Sequence, residues 1–484
     1  MRRAVTLLAL LATGCATMDP KLGRPDPAIP ASWPAGSPVV AQSEAALPAV
    51  TYKQIFTDVR LQTLIAQALV NNRDLMIAAA NIAAAREQYR IQRAQQFPQV
   101  NAQGGVTVSG DKSKDVSAQY TAGVNVPSFE VDLFGRLRSL TREQLQRYLA
   151  TEAGARATRL TLVADIANAW LDYAADSSLL LVSQRTMETA QASVRLTRIR
   201  LEGGIAARTD LSQAQEILSQ AQANLAQQRT LVAQDVNALQ LLVGAPIDPT
   251  LLPSSIDQAG PTIAELPAGL SSYVLLRRPD VLQAEYELRA ANANIGAARA
   301  ALFPRISLTG LLGFASSALT SLFTGGAFGW QVGANAGYTI FQAGAGHANV
   351  RLSEAQRNAA LATYQRAVQT AFREVSDALA RRATMDDQLA ATQRQQAAAA
   401  DVLQLTEARY RAGIDPFLNV LDAQRSYYGV QQTLVNTRRT AAQNRVALYQ
   451  SLGGDSLLQT APLCDVTYVS SASNAKLASQ CSPM

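Results

Sequence analysis

The side chains that ordinarily carry catalysis are scarce in this sequence. Its 484 residues include one histidine, His347, and three cysteines. An imidazole base, a thiol nucleophile or a His/Cys zinc site lacks raw material. GxSxG, HExxH, CxxC, EF-hand and P-loop patterns are absent, and Gly344-Ala345-Gly346 is not followed by the third glycine of a dinucleotide fingerprint. No catalytic residue, metal or cofactor is expected, and His347, just past a strand end, reads as a surface residue. The chemistry that remains is of two kinds: Cys15, a site for lipid, and the acids Asp210, Asp415 and Asp422 beside breaks in long helices.

Arg2 and Arg3 precede an apolar stretch at 4–11 and small residues at 12–14, the layout of a secretory signal. The apolar stretch is far short of the ~20 residues a spanning helix needs. Gly14-Cys15 resembles a bacterial lipobox, in which the cysteine takes lipid and becomes the first mature residue. Ala12 stands where leucine is usual, so an ordinary signal with an incidental cysteine is the alternative. Ala16 replaces the aspartate that often retains lipoproteins in the inner membrane, which favours the outer membrane. Residues 19–48 hold seven prolines and Trp33, a composition suited to an extended arm. Cys464 and Cys481 are an even pair in an oxidising compartment, and their pairing is left open. The net charge of +6 is spread over single residues and pairs such as Arg277-Arg278 and Arg438-Arg439, which suits solvated helix faces better than nucleic acid.

The chain is written twice. Asp74, Arg93 and Phe97-Pro98 recur 206 residues later as Asp280, Arg299 and Phe303-Pro304. Arg200, Gly204, Ile205 and Gly244 recur 209 residues later as Arg409, Gly413, Ile414 and Gly453. A unit of ~200 residues is too long for a solenoid repeat, so the chain reads as two duplicated halves. The expected organisation is a signal at 1–14, a lipidated arm at 15–57, repeats at 58–247 and 269–454, a Pro-rich linker at 248–268 and a tail at 455–484.

Each half reads as helix, strand pair, very long helix, break, helix. Leu160, Val163, Ala167, Trp170 and Ala174 step by three and four, as do Val368, Phe372, Val375 and Leu379 in the second half. This is coiled-coil spacing. Such periodicity fits a solid rod as well as a tube. The strands distinguish the two. Within strands expected at about 98–110, 118–130, 304–316 and 328–341, apolar residues alternate with small polar ones: Val106 and Val108 with Thr107 and Ser109, Tyr120, Ala122 and Val124 with Thr121, Gly123 and Asn125. The same holds for Ile306, Leu308, Leu312 and Phe314, and for Trp330, Val332, Ala334 and Ala336 against Gln331, Gly333 and Asn335. Such strands suit a membrane β-barrel with lipid outside and water inside. A soluble sheet also alternates, but Trp330, Tyr120, Tyr338, Phe97 and Phe303 lie where two interfacial aromatic girdles would sit. Four strands cannot close a barrel and open edges are not viable in lipid, so several copies must share one. A dimer would give the eight-stranded minimum and a trimer twelve strands with room for water; the small lumen-facing residues favour the trimer.

These features, with Arg409-Tyr410-Arg411-Ala412-Gly413-Ile414 and the following run from Leu418 through Asp422 to Arg425, resemble the TolC-type outer-membrane factors, in particular their lipoprotein efflux branch (OprM-like, NodT family). The resemblance covers Cys15 to about Gly454. It implies an α+β membrane fold in which three chains form a twelve-stranded outer-membrane β-barrel above a long periplasmic coiled-coil α-barrel. It also implies docking onto a periplasmic adaptor and an inner-membrane pump of RND or similar type. By position, Leu418, Asp422 and Asp210 would line an iris at the periplasmic tip, and Tyr410 and Arg411 would hold the helix pair closed. A type I protein-secretion channel has the same physics and differs only in its pump; a periplasmic coiled-coil scaffold fits the strands less well.

The same residues have plainer readings. Asp210 and Asp415 can act as helix N-caps, with Pro416 in a first helical turn, and Gly204 and Gly413 can close the preceding helices. Asp422 lies too far inside its helix to cap it, so gating and surface solvation both remain for it.

Overall fold

In the computed structural model, residues 18–23, 29, 51–110, 116–264 and 272–454 are described. Cys15, Trp33, the loop at 111–115, Cys464 and Cys481 fall outside them. The first half runs α1 (Tyr52–Ile55), α2 (Val59–Asn71), α3 (Arg73–Ala94), β1 (Asn101–Gly110), β2 (Val116–Glu130), α4 (Arg136–Glu202) and α5 (Arg208–Val243). After a connection containing the short α6 (Ile256–Ala259), the second half runs α7 (Pro279–Ala300), β3 (Arg305–Ser316), β4 (Phe328–Gly337), α8 (Ala345–Arg411) and α9 (Phe417–Ser451). α4 and α8 each have 67 residues, a rise of about 100 Å at 1.5 Å per residue. Gly154 lies inside α4, where flanking helix formers carry the ladder through it.

Contacts divide the chain into two compact units. One contains the four strands, paired antiparallel in the order β1-β2-β3-β4. Their register puts like faces together. Val106 pairs with Tyr120, Val124 with Leu312, Leu308 with Ala334 and Leu312 with Trp330. One apolar surface therefore runs across all four strands. On the other face Ser109 pairs with Ser117, Thr107 with Gln119 and Ser307 with Asn335, with Leu311 beside Gln331 as an apolar intruder.

Gly123 and Gly313 face each other on that polar side. A Cβ on Gly123 would stand 2.6 Å from the carbonyl oxygen of Leu312, and one on Gly313 2.6 Å from that of Ala122. Only glycine lets β2 and β3 approach so closely, as at the bend of a strongly curved sheet. β1 begins at Asn101 and β4 ends at Gly337, inside the spans expected from alternation, because Asn101–Asn125 and Arg305–Gly337 are the last ladder pairs. Alternation continues through Tyr338 and Ile340, but no neighbouring strand among the described residues reaches them.

In the same unit the arm meets helices. The carboxylate of Asp19 accepts a hydrogen bond from Ser139 Oγ at 2.6 Å and pairs with Arg142, while Asn292 donates to the Pro20 carbonyl at 2.8 Å.

The other unit holds the larger core, built from α1, α2, α4, α5, α6, α8 and α9. Trp170 is fully buried at its centre. Its indole N–H donates to the Leu251 carbonyl at 3.2 Å and the Arg60 guanidinium lies 5.8 Å from its ring centroid. The heptad positions Leu160, Val163, Ala167 and Ala174 are buried with it, but Leu181 is exposed. There the buried seam passes through Ser178 and Ser183.

Candidate functional site

The turn between α4 and α5 and the turn between α8 and α9 have the same construction. Ile205 N–H donates to Arg200 O at 2.9 Å and Gly204 N–H to Leu201 O at 3.0 Å. In the second half Ile414 N–H donates to Arg409 O at 2.9 Å and Gly413 N–H to Tyr410 O at 3.0 Å. These are Schellman closures, and Gly204 and Gly413 have φ of 76° and 75°, the left-handed region that a side chain disfavours.

The helices that follow are not capped by the acids. The N-cap of α5 is Ala207 and that of α9 is Pro416, neither with a side-chain cap. This corrects the expectation that Asp210 and Asp415 are caps and that Pro416 opens the helix from inside. Asp210 is the third residue of α5, where its charge suits the positive end of the helix dipole. Asp415 instead receives two hydrogen bonds from Arg409, at 2.7 and 3.1 Å. That guanidinium holds the Asp415 carboxyl below the usual carboxylate range.

Tyr410, Phe417, Val420 and Leu421 pack with Val194 and Ala214 in a small buried cluster that joins the two turns. The rings of Tyr410 and Phe417 are 5.2 Å apart. Leu418 and Asp422, one turn apart on α9, are both exposed, and Asp210 is half-buried. Arg411 pairs with Glu407 of its own helix at 2.9 Å and is exposed. Arg200 bridges the helix pairs: it donates to the Tyr410 carbonyl at 2.7 Å and lies 4.5 Å over the Tyr410 ring. Motif reading missed Arg200 as a contact residue; its recurrence as Arg409 was the available signal. Gln424 adds a link to Ser193 Oγ at 3.2 Å.

Elsewhere on α4, α5 and α9, three carboxylates gather around Arg439. Asp172 receives Gln443 Nε2 at 2.9 Å and has Arg439 at 3.4 Å. Burial and the neighbouring charges of Asp176 and Asp172 push the Asp235 carboxyl up to about 7, with Arg439 opposing. Between about pH 4 and about 7 the folded chain then holds a proton that the unfolded chain has released, so this group's contribution to stability falls as pH rises through that window. Asp235→Asn should therefore raise the melting temperature at pH 8 and change it little at pH 4, as followed by circular dichroism. An equal shift at both pH values would show that Asp235 is not protonated in the folded chain.

Among the described residues no helix is long and apolar enough to cross a membrane, and no group of His, Cys, Asp and Glu has metal-binding geometry. Comparison with known proteins identifies the family that carries this two-faced sheet and these paired tips. A family model described as "Outer membrane efflux protein" matches twice, at residues 64–245 and 270–454. The chain belongs to this family. Over 467 residues it is 41% identical to the probable efflux pump outer membrane protein TtgC of Pseudomonas putida, covering 94% of this chain and 96% of that one. It is 36% identical to the cation efflux system protein CusC of Escherichia coli, covering 92% and 98%. The solved structure of CusC superposes with a TM-score of 0.82, over 91% of this chain and all of that one. The open state of the MtrE outer membrane channel of Neisseria gonorrhoeae superposes with a TM-score of 0.81 at 34% identity, covering 91% of this chain and 98% of that one. The chain is thus an outer-membrane efflux channel protein. Its strands are the membrane part, and its long helices form the periplasmic extension.

Proposed function

We propose that three copies of this chain share one twelve-stranded barrel and conduct substrates passively, gated at the α4–α5 and α8–α9 turns. An inner-membrane pump of RND or similar type, reached through a periplasmic adaptor, supplies the energy. The observation that carries this reading is the four-stranded sheet with one continuous apolar face and with β1 and β4 as edges. Unpaired edges cost several kcal/mol per exposed backbone group in lipid. Copies joining β4 to β1 remove them, and twelve strands leave room for water. α3, which buries none of its residues within one chain and exposes Met76, Ile77 and Ile91, offers apolar surface for a neighbouring copy. Acylation of Cys15 would tether the arm to the outer membrane, with two acyl chains giving stable anchoring.

In the trimer, Leu418, Asp422 and Asp210 would form rings around the axis. A ring of acids attracts cations and repels anions. Native mass spectrometry in mild detergent should give three copies, and the protein in planar bilayers should conduct weakly with a preference for cations. Leu418→Ala with Asp422→Ala should raise conductance and weaken that preference. A folded, conducting monomer would overturn the shared barrel. Unchanged currents in the double variant would place the constriction elsewhere and leave Asp422 a solvated surface residue.

A further inference from the structure

The chain turns back between β3 and β4 through residues 317–327. α7 enters β3 and α8 leaves β4 at the opposite end of the sheet, so with the helices in the periplasm this loop lies at the outer surface of the membrane. Its composition is unlike that of a loop built for water. No Asp, Glu, Lys or Arg occurs between Arg305 and Arg351, whereas the β1–β2 loop carries Asp111, Lys112, Lys114 and Asp115. Leu319, which opens a single 3-10 turn over Leu319–Ser321, and Phe323 are 62% and 71% exposed, while Leu322 beside them is buried and pins the turn. The Phe323 ring meets Phe314 edge-on at 5.4 Å, and Phe314 meets Phe328 at 5.6 Å. Phe314 pairs with Phe328, and Leu312 with Trp330, on the apolar face of the sheet. The loop therefore leans over that face and extends the surface that lipid covers.

The loop also satisfies many of its own polar groups. Ser321 N–H donates to Ala318 O at 3.2 Å, Leu322 N–H to Leu319 O at 3.3 Å, Thr324 N–H to Ser321 O at 3.2 Å and Ala327 N–H to Thr324 O at 3.3 Å. The hydroxyls of Ser316 and Ser321 share a bond of 2.6 Å, and Thr324 Oγ1 donates to Ser321 O at 2.8 Å. Water satisfies such groups wherever they point; hydrocarbon does not, so a backbone near lipid must close its own bonds. We propose that the β3–β4 loop is a membrane wedge that seats Leu319 and Phe323 among the acyl chains of the outer leaflet, while the charged β1–β2 loop stays in water. Acyl chains rather than lipid phosphates are the partner, because the patch offers apolar area and no Lys or Arg to meet a phosphate. Its continuity with the lipid-facing side of β3 and β4 argues for lipid rather than another protein. The inference rests on the strands being the membrane part and on nothing at the helix tips. Interfacial aromatic anchors set how deep and how tilted a membrane segment sits. In the shared barrel three wedges, one per copy, hold the outer rim at a fixed depth while the periplasmic end engages its partners.

The test uses the full-length protein in a Cys464→Ser, Cys481→Ser background, spin-labelled at one introduced cysteine and reconstituted in vesicles of phosphatidylethanolamine and phosphatidylglycerol. Power saturation in electron paramagnetic resonance compares access of molecular oxygen, which concentrates in hydrocarbon, with access of a nickel chelate, which stays in water. Phe323→Cys carries the deciding label; Leu319→Cys takes its place if native mass spectrometry shows that Phe323→Cys does not assemble. Ser113→Cys is the water reference. Val332→Cys is the hydrocarbon reference, since Val332 is exposed on the apolar face of β4. The background protein without an added cysteine corrects for any label at Cys15. The oxygen-to-chelate ratio at 323 should exceed that at 113 about tenfold and approach that at 332, because a polar solute is excluded from hydrocarbon. A ratio like that at 113 would place the loop in water. Shielding from both reagents would place it against protein, in a neighbouring copy or inside the barrel. Either result overturns the wedge. A label at 332 that itself reads as water would refute the membrane reading of the sheet, whereas hydrocarbon at 332 without hydrocarbon at 323 refutes only the wedge.

Discussion

Arginine placed on the apolar face of the sheet, as in Val124→Arg or Ala334→Arg, should prevent assembly in the outer membrane, whereas Asn335→Arg should assemble. Val124 pairs with Leu312 and Ala334 with Leu308, so both lie on the face that lipid covers. A guanidinium facing lipid near the bilayer midplane costs ~2–4 kcal/mol and less toward the interfaces. In the proposed trimer each substitution occurs three times per barrel. Asn335 pairs with Ser307 on the opposite face, where water receives the charge. The measurement is the yield of trimer in outer-membrane fractions by native mass spectrometry. Equal yields for the two faces would mean that the alternation belongs to a sheet in water.

Trp170→Ala should be the most damaging single truncation in the helical unit. Removal of a buried tryptophan costs ~3–5 kcal/mol, because its contacts are lost and the surrounding backbone cannot collapse to fill the space. Here the indole also satisfies the Leu251 carbonyl, which would lose that partner. Trp170 ties α4 to the connection between the halves, so its loss should loosen both. Circular dichroism should show the melting temperature reduced by roughly 10 °C, taking ~2–4 °C per kcal/mol for a unit of this size. Trp170→Phe, which keeps an aromatic ring but not the N–H, should fall between. Melting of Trp170→Ala within a degree or two of wild type would show that this core is not what holds the helices together.

Several features of the molecule were legible in the sequence because they are set locally. Strand faces follow from period-two alternation: once Val124 points to one side, Asn125 must point to the other. The turns at Gly204 and Gly413 were legible because a Schellman closure spans six residues and needs glycine at one of them. The duplication was visible because matched residues keep their spacing whatever the fold.

Partners distant in sequence were not legible. Nothing near Asp415 says that Arg409 binds it more favourably than the helix N-terminus does; that depends on the route of the chain through the turn. Arg200 finds Tyr410 across 210 residues only because the two hairpins pack side by side, and Arg411, its neighbour in the motif, is turned away by the helical step of 100° per residue. β4 ends at Gly337 although its alternation runs on, since a strand lasts only as far as a neighbour completes its hydrogen bonds. Sequence alone determined what each element is and which way its side chains face, because those follow from bonds a few residues apart. Tertiary structure decided which charge meets which, because that choice is made by packing between segments whose separation along the chain carries no information about their distance in space.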